Sequence, residues 1–282
     1  MTAPEPATAA VERGRAVAME SARAYQEVFA ERLVSVHLLG SLSYGGYSPA
    51  VSDIDLAVVL ADRRDGDPEM FATIGEKLLG RDPLYRKLSV FWGSLPALSR
   101  GEEDGRFPAI DRLELADHSS LLLGEDVSAQ VARPEAGELL LESARFAIDR
   151  LATDEVTAEF HRPRRLLEDA VWFTKAVLFP VRFLRTAANS TGRAAANDEA
   201  IAWYLDGPGP AAASLVRLAA RVRAGDPLVP EEVAPELAAG LLPLYRHYVE
   251  DQARRLRSAD APADLVAAFT DWDKKLVSVY DG

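Results

Sequence analysis

The sequence predicts an α+β fold in two parts, a mixed strand-and-helix unit followed by an all-helical one. Three observations carry this. Two β-branched, apolar runs, residues 33–39 (LVSVHLL) and 53–60 (DIDLAVVL), have the length and composition of buried strands. Helical spacing of apolar residues surrounds them. From about residue 134 onward every apolar stretch repeats at helical spacing, and the change falls at "ARPEA", residues 132–136. The predicted domains are therefore 1–132 and 133–282.

In order, residues 10–31 read as an amphipathic helix, 33–39 as a strand, and 40–52 as a Gly/Ser/Tyr-rich loop with a short helix after Gly40-Ser41. Residues 53–60 form the second strand. Residues 66–80 suit a helix closed by Gly80, a residue type favoured just past helix ends. Residues 86–96 suit a third strand, stopped by Gly93 and Pro96. Residues 110–127 fit a fourth strand or a short helix, and periodicity does not decide. In the helical half, Pro180 is expected to kink its helix or split it in two, because it lacks an N–H and crowds the preceding turn.

Composition narrows the function. The 282 residues carry 32 Lys plus Arg against 44 Asp plus Glu, a formal net charge of −12. That field repels a phosphate backbone, so nucleic acid is not an expected partner, and a cationic small molecule is favoured by steering. The chain has no cysteine, which excludes thiol catalysis and Cys-ligated metal. No run approaches the roughly 18 apolar residues of a membrane span, and the first 30 residues lack the apolar core of a signal peptide. The expectation is a cytoplasmic protein with no membrane partner.

The chemistry concentrates in "VSVHLLGSLSYGGYSPAVSDIDLAVVL", residues 34–60. Alternation along a strand puts Asp53 and Asp55 on one face. Two like charges there repel, and burying them unpaired is costly. A divalent cation resolves both problems; Mg²⁺ takes oxygen ligands and commonly also holds substrate phosphates. The first strand ends at Gly40-Ser41, where glycine permits close backbone approach and turn N–H groups with the Ser41 hydroxyl can hold phosphate oxygens. Either motif alone is common. Together, an apolar strand, Gly-Ser, eleven residues, Asp-Ile-Asp and an apolar strand form the equipment of nucleotidyl transfer.

This stretch resembles the signature of the DNA polymerase β-like nucleotidyltransferases, and within them most resembles the streptomycin/spectinomycin-type aminoglycoside adenylyltransferases. "ADHSSLLLGEDV" (116–127) is similar to the segment closing their N-terminal domain, and "STGRAAANDEAIAWYL" (190–205) to a Thr-Gly motif and following helix of their C-terminal domain. The resemblance implies a small mixed sheet with helices, then a helical bundle, with ATP in the cleft between them. It implies that Gly40 and Ser41 hold the triphosphate and that Asp53 and Asp55 bind Mg²⁺, while AMP passes from ATP to a hydroxyl of an aminoglycoside-like acceptor. The implied partners are a nucleoside triphosphate and a small hydroxylated acceptor.

Two departures stand out. The family places a third carboxylate on the next core strand; here that strand reads "RKLSVFW", with Lys87, Leu88 and Ser89 near the place, and no acid lies between Arg86 and Gly101. Glu102, Glu103, Asp104, Asp111 and Glu114 are the nearest candidates. Glu114 is preferred as catalytic carboxylate because "DRLELAD" can be drawn as a strand. Secondly, the position matching the family's ATP-contacting lysine is Asn197, so Arg193, with Arg185 and Arg182 as alternatives, is the candidate phosphate contact. Glu168, Asp169 and Trp172 are the candidate acceptor-binding residues; a Trp at helical spacing also reads as core. His37 reads as a core histidine. Two other readings stay open: a transferase acting on a protein hydroxyl, and a nucleotide binder with a degenerate site.

Overall fold

The computed structural model describes residues 7–189 and 192–278. The chain divides into two compact units, Met1–Pro134 and Glu135–Gly282.

The first unit is built on a four-stranded sheet. Helix α1 (Ala7–Phe29) leads into β1 (Leu33–Leu39), α2 (Gly40–Tyr44) and β2 (Ile54–Leu60). Then come α3 (Asp67–Leu79), β3 (Leu88–Ser94), α4 (Leu95–Arg100), α5 (Ala109–His118) and β4 (Ser120–Gly124). The strand order is β3-β2-β1-β4. β1 runs antiparallel to β2 and β4, whereas β2 and β3 are parallel, so the sheet is mixed.

Both faces of the sheet are covered, and strand alternation decides what each receives. One face presents Val36 and Leu38 of β1 with Ile54, Leu56 and Val58 of β2. It packs on Val17, Ala18, Ala22, Tyr25 and Phe29 of α1 and Phe71 and Ile74 of α3. The other presents Leu39, Ala57, Val59 and Phe91, and packs on Leu98 of α4 and Leu115 of α5. Asp55, two residues before Ala57, belongs to this second face. A largely buried ion pair ties the 3-10 turn Ala30–Arg32, just ahead of β1, to α3: Arg32 donates from Nη1 to Asp67 Oδ1 and from Nη2 to Oδ2, both at 2.9 Å.

The ambiguous segment 110–127 resolves into both alternatives, a helix to His118 and a strand from Ser120. "DRLELAD" is therefore helical, and Glu114 faces inward from a helix, not from a strand. Its neighbours Leu113 and Leu115 are buried with it.

The second unit is all helical: α6 (Ala136–Leu151), α7 (Asp154–His161), α8 (Ala170–Ala188), α9 (Asn197–Leu205), α10 (Ala213–Ala224), α11 (Pro230–Ser258) and α12 (Ala263–Val277). Its core gathers Phe160, Phe173, Leu184, Leu244, Tyr248 and Trp272.

Pro180 does not split its helix; α8 runs unbroken through it. The break falls earlier, at Asp169, whose carboxylate accepts from Val171 N (2.8 Å) and Trp172 N (3.2 Å) and starts α8. A proline at 180 leaves the Ala176 carbonyl without its usual donor four residues on. The fully buried Tyr245 hydroxyl of α11 donates to that carbonyl at 2.8 Å. The orphaned acceptor thus becomes an interhelical hydrogen bond. Removing the hydroxyl in Tyr245→Phe is expected to destabilise the protein by about 1–3 kcal/mol, because a buried acceptor loses its partner. In a Pro180→Ala background, where residue 180 again donates, chemical denaturation should show a clearly smaller cost for the same change.

Candidate active site

The candidate site lies at the end of the sheet where β1 stops and β2 begins. Antiparallel pairing sets Leu39 opposite Asp55, so the turn leaving β1 lies directly beside the Asp55 side chain. Gly40 makes that turn with φ +62, a left-handed conformation that disfavours any residue with a Cβ. A Cβ at position 40 would also overlap Asp55 Oδ2. The glycine is therefore required twice, for its backbone angle and for the space the carboxylate occupies.

Glu114 reaches the same glycine from α5. The Gly40 N–H donates to Glu114 Oε2 at 3.2 Å, and Glu114 is 6% exposed. Two carboxylates from distant parts of the sequence thus flank one residue, on the sheet face that α5 covers. Ser41, 5% exposed, follows in the first turn of α2. Asp53 is half-buried and stands just ahead of β2, which begins at Ile54 and not at residue 53.

On the other side of Asp55, the parallel register sets Ser89 of β3 as its neighbour. The strand next to Asp55 therefore offers a hydroxyl-bearing residue where the resemblance implied a carboxylate. Two of the other acids considered have structural partners: Glu102 pairs with Arg100 at 2.7 Å, and Asp104 accepts from Ser94 N at 3.0 Å and Ser94 Oγ at 2.5 Å. Asp111 lies in the first turn of α5. His37 is fully buried in β1, with Nδ1 at 3.2 Å from Ser119 Oγ. Burial holds its pKa below the ordinary imidazole value, so it stays neutral at pH 7.

A divalent cation can be tested against these residues. Among the described residues no group of three or more His, Cys, Asp or Glu is placed to hold a metal ion. The donors on offer are the carboxylates of Asp53 and Asp55, beside a turn cleared of any Cβ. Such a set suits Mg²⁺, which binds through one or two carboxylates and completes its shell with water and substrate phosphates, and does not suit a metal caged by protein alone.

In the helical unit, Asp169 is the α8 cap described above, and Trp172 donates from Nε1 to Glu159 Oε2 at 3.0 Å while packing on the bundle core. Glu168 is exposed at the end of the 3-10 turn Pro163–Glu168. Arg193 is exposed, and its carbonyl accepts from the Asn189 side chain. Arg185 pairs with Glu199 at 2.5 Å and lies over the Trp203 ring at 5.7 Å, a surface anchor between α8 and α9. Ser190 and Thr191 of the Thr-Gly motif lie outside the described residues. Asn197 is the first residue of α9.

No family model matches the chain, and no curated protein matches it. A solved structure does: spectinomycin adenyltransferase AAD(9) from Enterococcus faecialis, with ATP and spectinomycin. The similarity has a TM-score of 0.53 at 12% sequence identity and covers 92% of this chain and 99% of that one. The chain shares the overall fold of that structure. On this fold the Gly40–Ser41 turn lies beside Asp55 of β2. The Gly40–Glu114 bond was invisible in the sequence, because it joins residues 74 apart through a helix that periodicity left undecided.

The geometry at Gly40 predicts a sharp intolerance. Gly40→Ala adds a left-handed penalty of about 1–2 kcal/mol and displaces the Asp55 carboxylate. Denaturation midpoints should fall accordingly. Leu78→Ala, a cavity change at a buried residue of α3, should lower stability without moving Asp55, which makes it a suitable comparison for any activity loss.

Proposed function

We propose that the protein is a Mg²⁺-dependent nucleotidyltransferase that moves AMP from ATP to a hydroxyl of a small, hydroxylated and preferentially cationic acceptor, of the aminoglycoside type. The observation that carries this is the packing of Asp55 against Gly40, with Glu114 on the Gly40 amide, on a nucleotidyltransferase fold. The neighbour's binding of ATP and spectinomycin supports the choice of donor and acceptor class. The net charge of −12 favours a cationic acceptor.

In this reading the Gly40–Ser41 turn receives triphosphate oxygens through the Ser41 hydroxyl and the backbone N–H groups that follow Gly40, whose own N–H is held by Glu114. Asp53 and Asp55 would hold Mg²⁺, which when bound supplies charge neutralisation at the reacting phosphate and the leaving group. The acceptor oxygen forms a bond to the α-phosphorus, the bond to the bridging oxygen breaks, and pyrophosphate leaves. Glu114 takes the proton from the acceptor hydroxyl, a general-base role filled from α5 because β3 carries Ser89 beside Asp55. Arg193 is the proposed further phosphate contact, and Glu168, Asp169 and Trp172 are the proposed acceptor contacts.

Ser89 beside Asp55 also favours a second reading, a nucleotide binder that has lost turnover. Pyrophosphate release, measured for each NTP against a panel of aminoglycosides and polyols, separates the two. The transferase reading expects release with one acceptor class, abolished in Asp55→Asn and lowered about 10²–10⁴-fold in Glu114→Gln. ATP-dependent thermal stabilisation without release from any acceptor would establish the binder instead. Turnover unchanged in Asp55→Asn would sink the site assignment altogether.

A further inference from the structure

Lys87 has no part in the reaction outlined above, yet it touches the segment that delivers Asp53. It ends the 3-10 turn Pro83–Lys87, directly ahead of β3 and two residues before Ser89. Its ammonium donates to the Pro49 carbonyl at 2.5 Å and to the Ala50 carbonyl at 3.0 Å. Both carbonyls belong to the connection between α2 and β2, which joins the Gly40–Ser41 turn to Asp53.

That connection is tied to itself. Ser52 N donates to Ser48 O at 2.8 Å, Val51 N to the same carbonyl at 3.2 Å, and Ser48 N to Ser52 Oγ at 2.9 Å. Ser48, Val51 and Ser52 are buried, while Pro49 and Ala50 are exposed. The turn is thus stiff inside, and its exposed tip is gripped from outside by one lysine. Only Val51 and Ser52 separate Ala50 from Asp53, so a shift of the tip is transmitted along a short, buried stretch to the carboxylate.

We propose that Lys87 is a positioning residue. It clamps the 48–52 turn to the foot of β3, fixes Asp53 relative to Asp55, and thereby sets the affinity of the carboxylate pair for a divalent cation. The inference rests on the metal site of the proposed function. Groups that orient metal ligands without touching the metal commonly change metal affinity 10–100-fold when removed.

The test is Mn²⁺ binding to the full-length protein, followed by the loss of the free-ion EPR signal, with and without a non-hydrolysable ATP analogue. Lys87→Met should weaken Mn²⁺ binding about 10–100-fold and leave the metal-free melting temperature nearly unchanged. Lys87→Arg, which can again donate to both carbonyls, should recover most of the affinity. Wild-type Mn²⁺ affinity in Lys87→Met overturns the proposal. If the Met variant also melts early, the Arg variant decides: recovered stability without recovered affinity overturns it too. Wild-type protein that takes up no more Mn²⁺ than Asp55→Asn, under either condition, defeats the metal-site reading itself, and the role of Lys87 falls with it.

Discussion

Everything at the candidate site depends on one steric exclusion, the Asp55 carboxylate occupying the space a side chain at residue 40 would fill. The register of β1 and β2 creates it, since Leu39 pairs with Asp55 and the chain must then turn away past that side chain. Only glycine accepts both the positive φ and the contact. The exclusion also leaves the Gly40 amide approachable, and Glu114 approaches it. A hydrophobic sheet end becomes a place where a backbone donor and two carboxylates meet within one face.

The cost of that meeting is electrostatic. Like charges in a half-buried setting repel, and the chain as a whole carries a surplus of acid. A bound cation with its phosphate ligands would offset that repulsion, which is why the proposed donor and metal belong together. The substitution pattern is consistent with this. β3 contributes Ser89 beside Asp55, so one fewer negative charge is crowded along the strands, and the remaining carboxylate comes from the helix that seals the same face.

Much of this was legible in the sequence. LVSVHLL and DLAVVL declare strands because a doubly covered sheet needs continuous apolar runs. Gly40-Ser41 and Asp53-Ile54-Asp55 declare a site because their types conflict with a plain core. Segment 110–127 was not legible, since a short helix and a short strand share it and neither spans enough residues to reveal a period. Pro180 does not split α8, because a tyrosine on another helix supplies the donor that its missing N–H withholds, and a partner so distant in the chain leaves no sign in the local sequence. Lys87 looked only like a misplaced residue at a position expecting acid. Its bonds to Pro49 and Ala50 run between backbone carbonyls and a side chain, and such bonds leave no pattern in residue types.

The pairing of β1 with β2 has a kinetic side as well. The turn at Gly40, the 48–52 segment and both aspartates lie within residues 40–55, the connection from β1 to its antiparallel partner β2 and the start of that strand. Glu114 joins from 74 residues away. Loop-closure entropy grows with separation, and local contacts form first. During synthesis this segment leaves the ribosome well before α5. Within the first unit the order of assembly then mirrors the division of labour proposed for the site: the carboxylates that would hold metal come together early, and the group that would take the proton is installed after them.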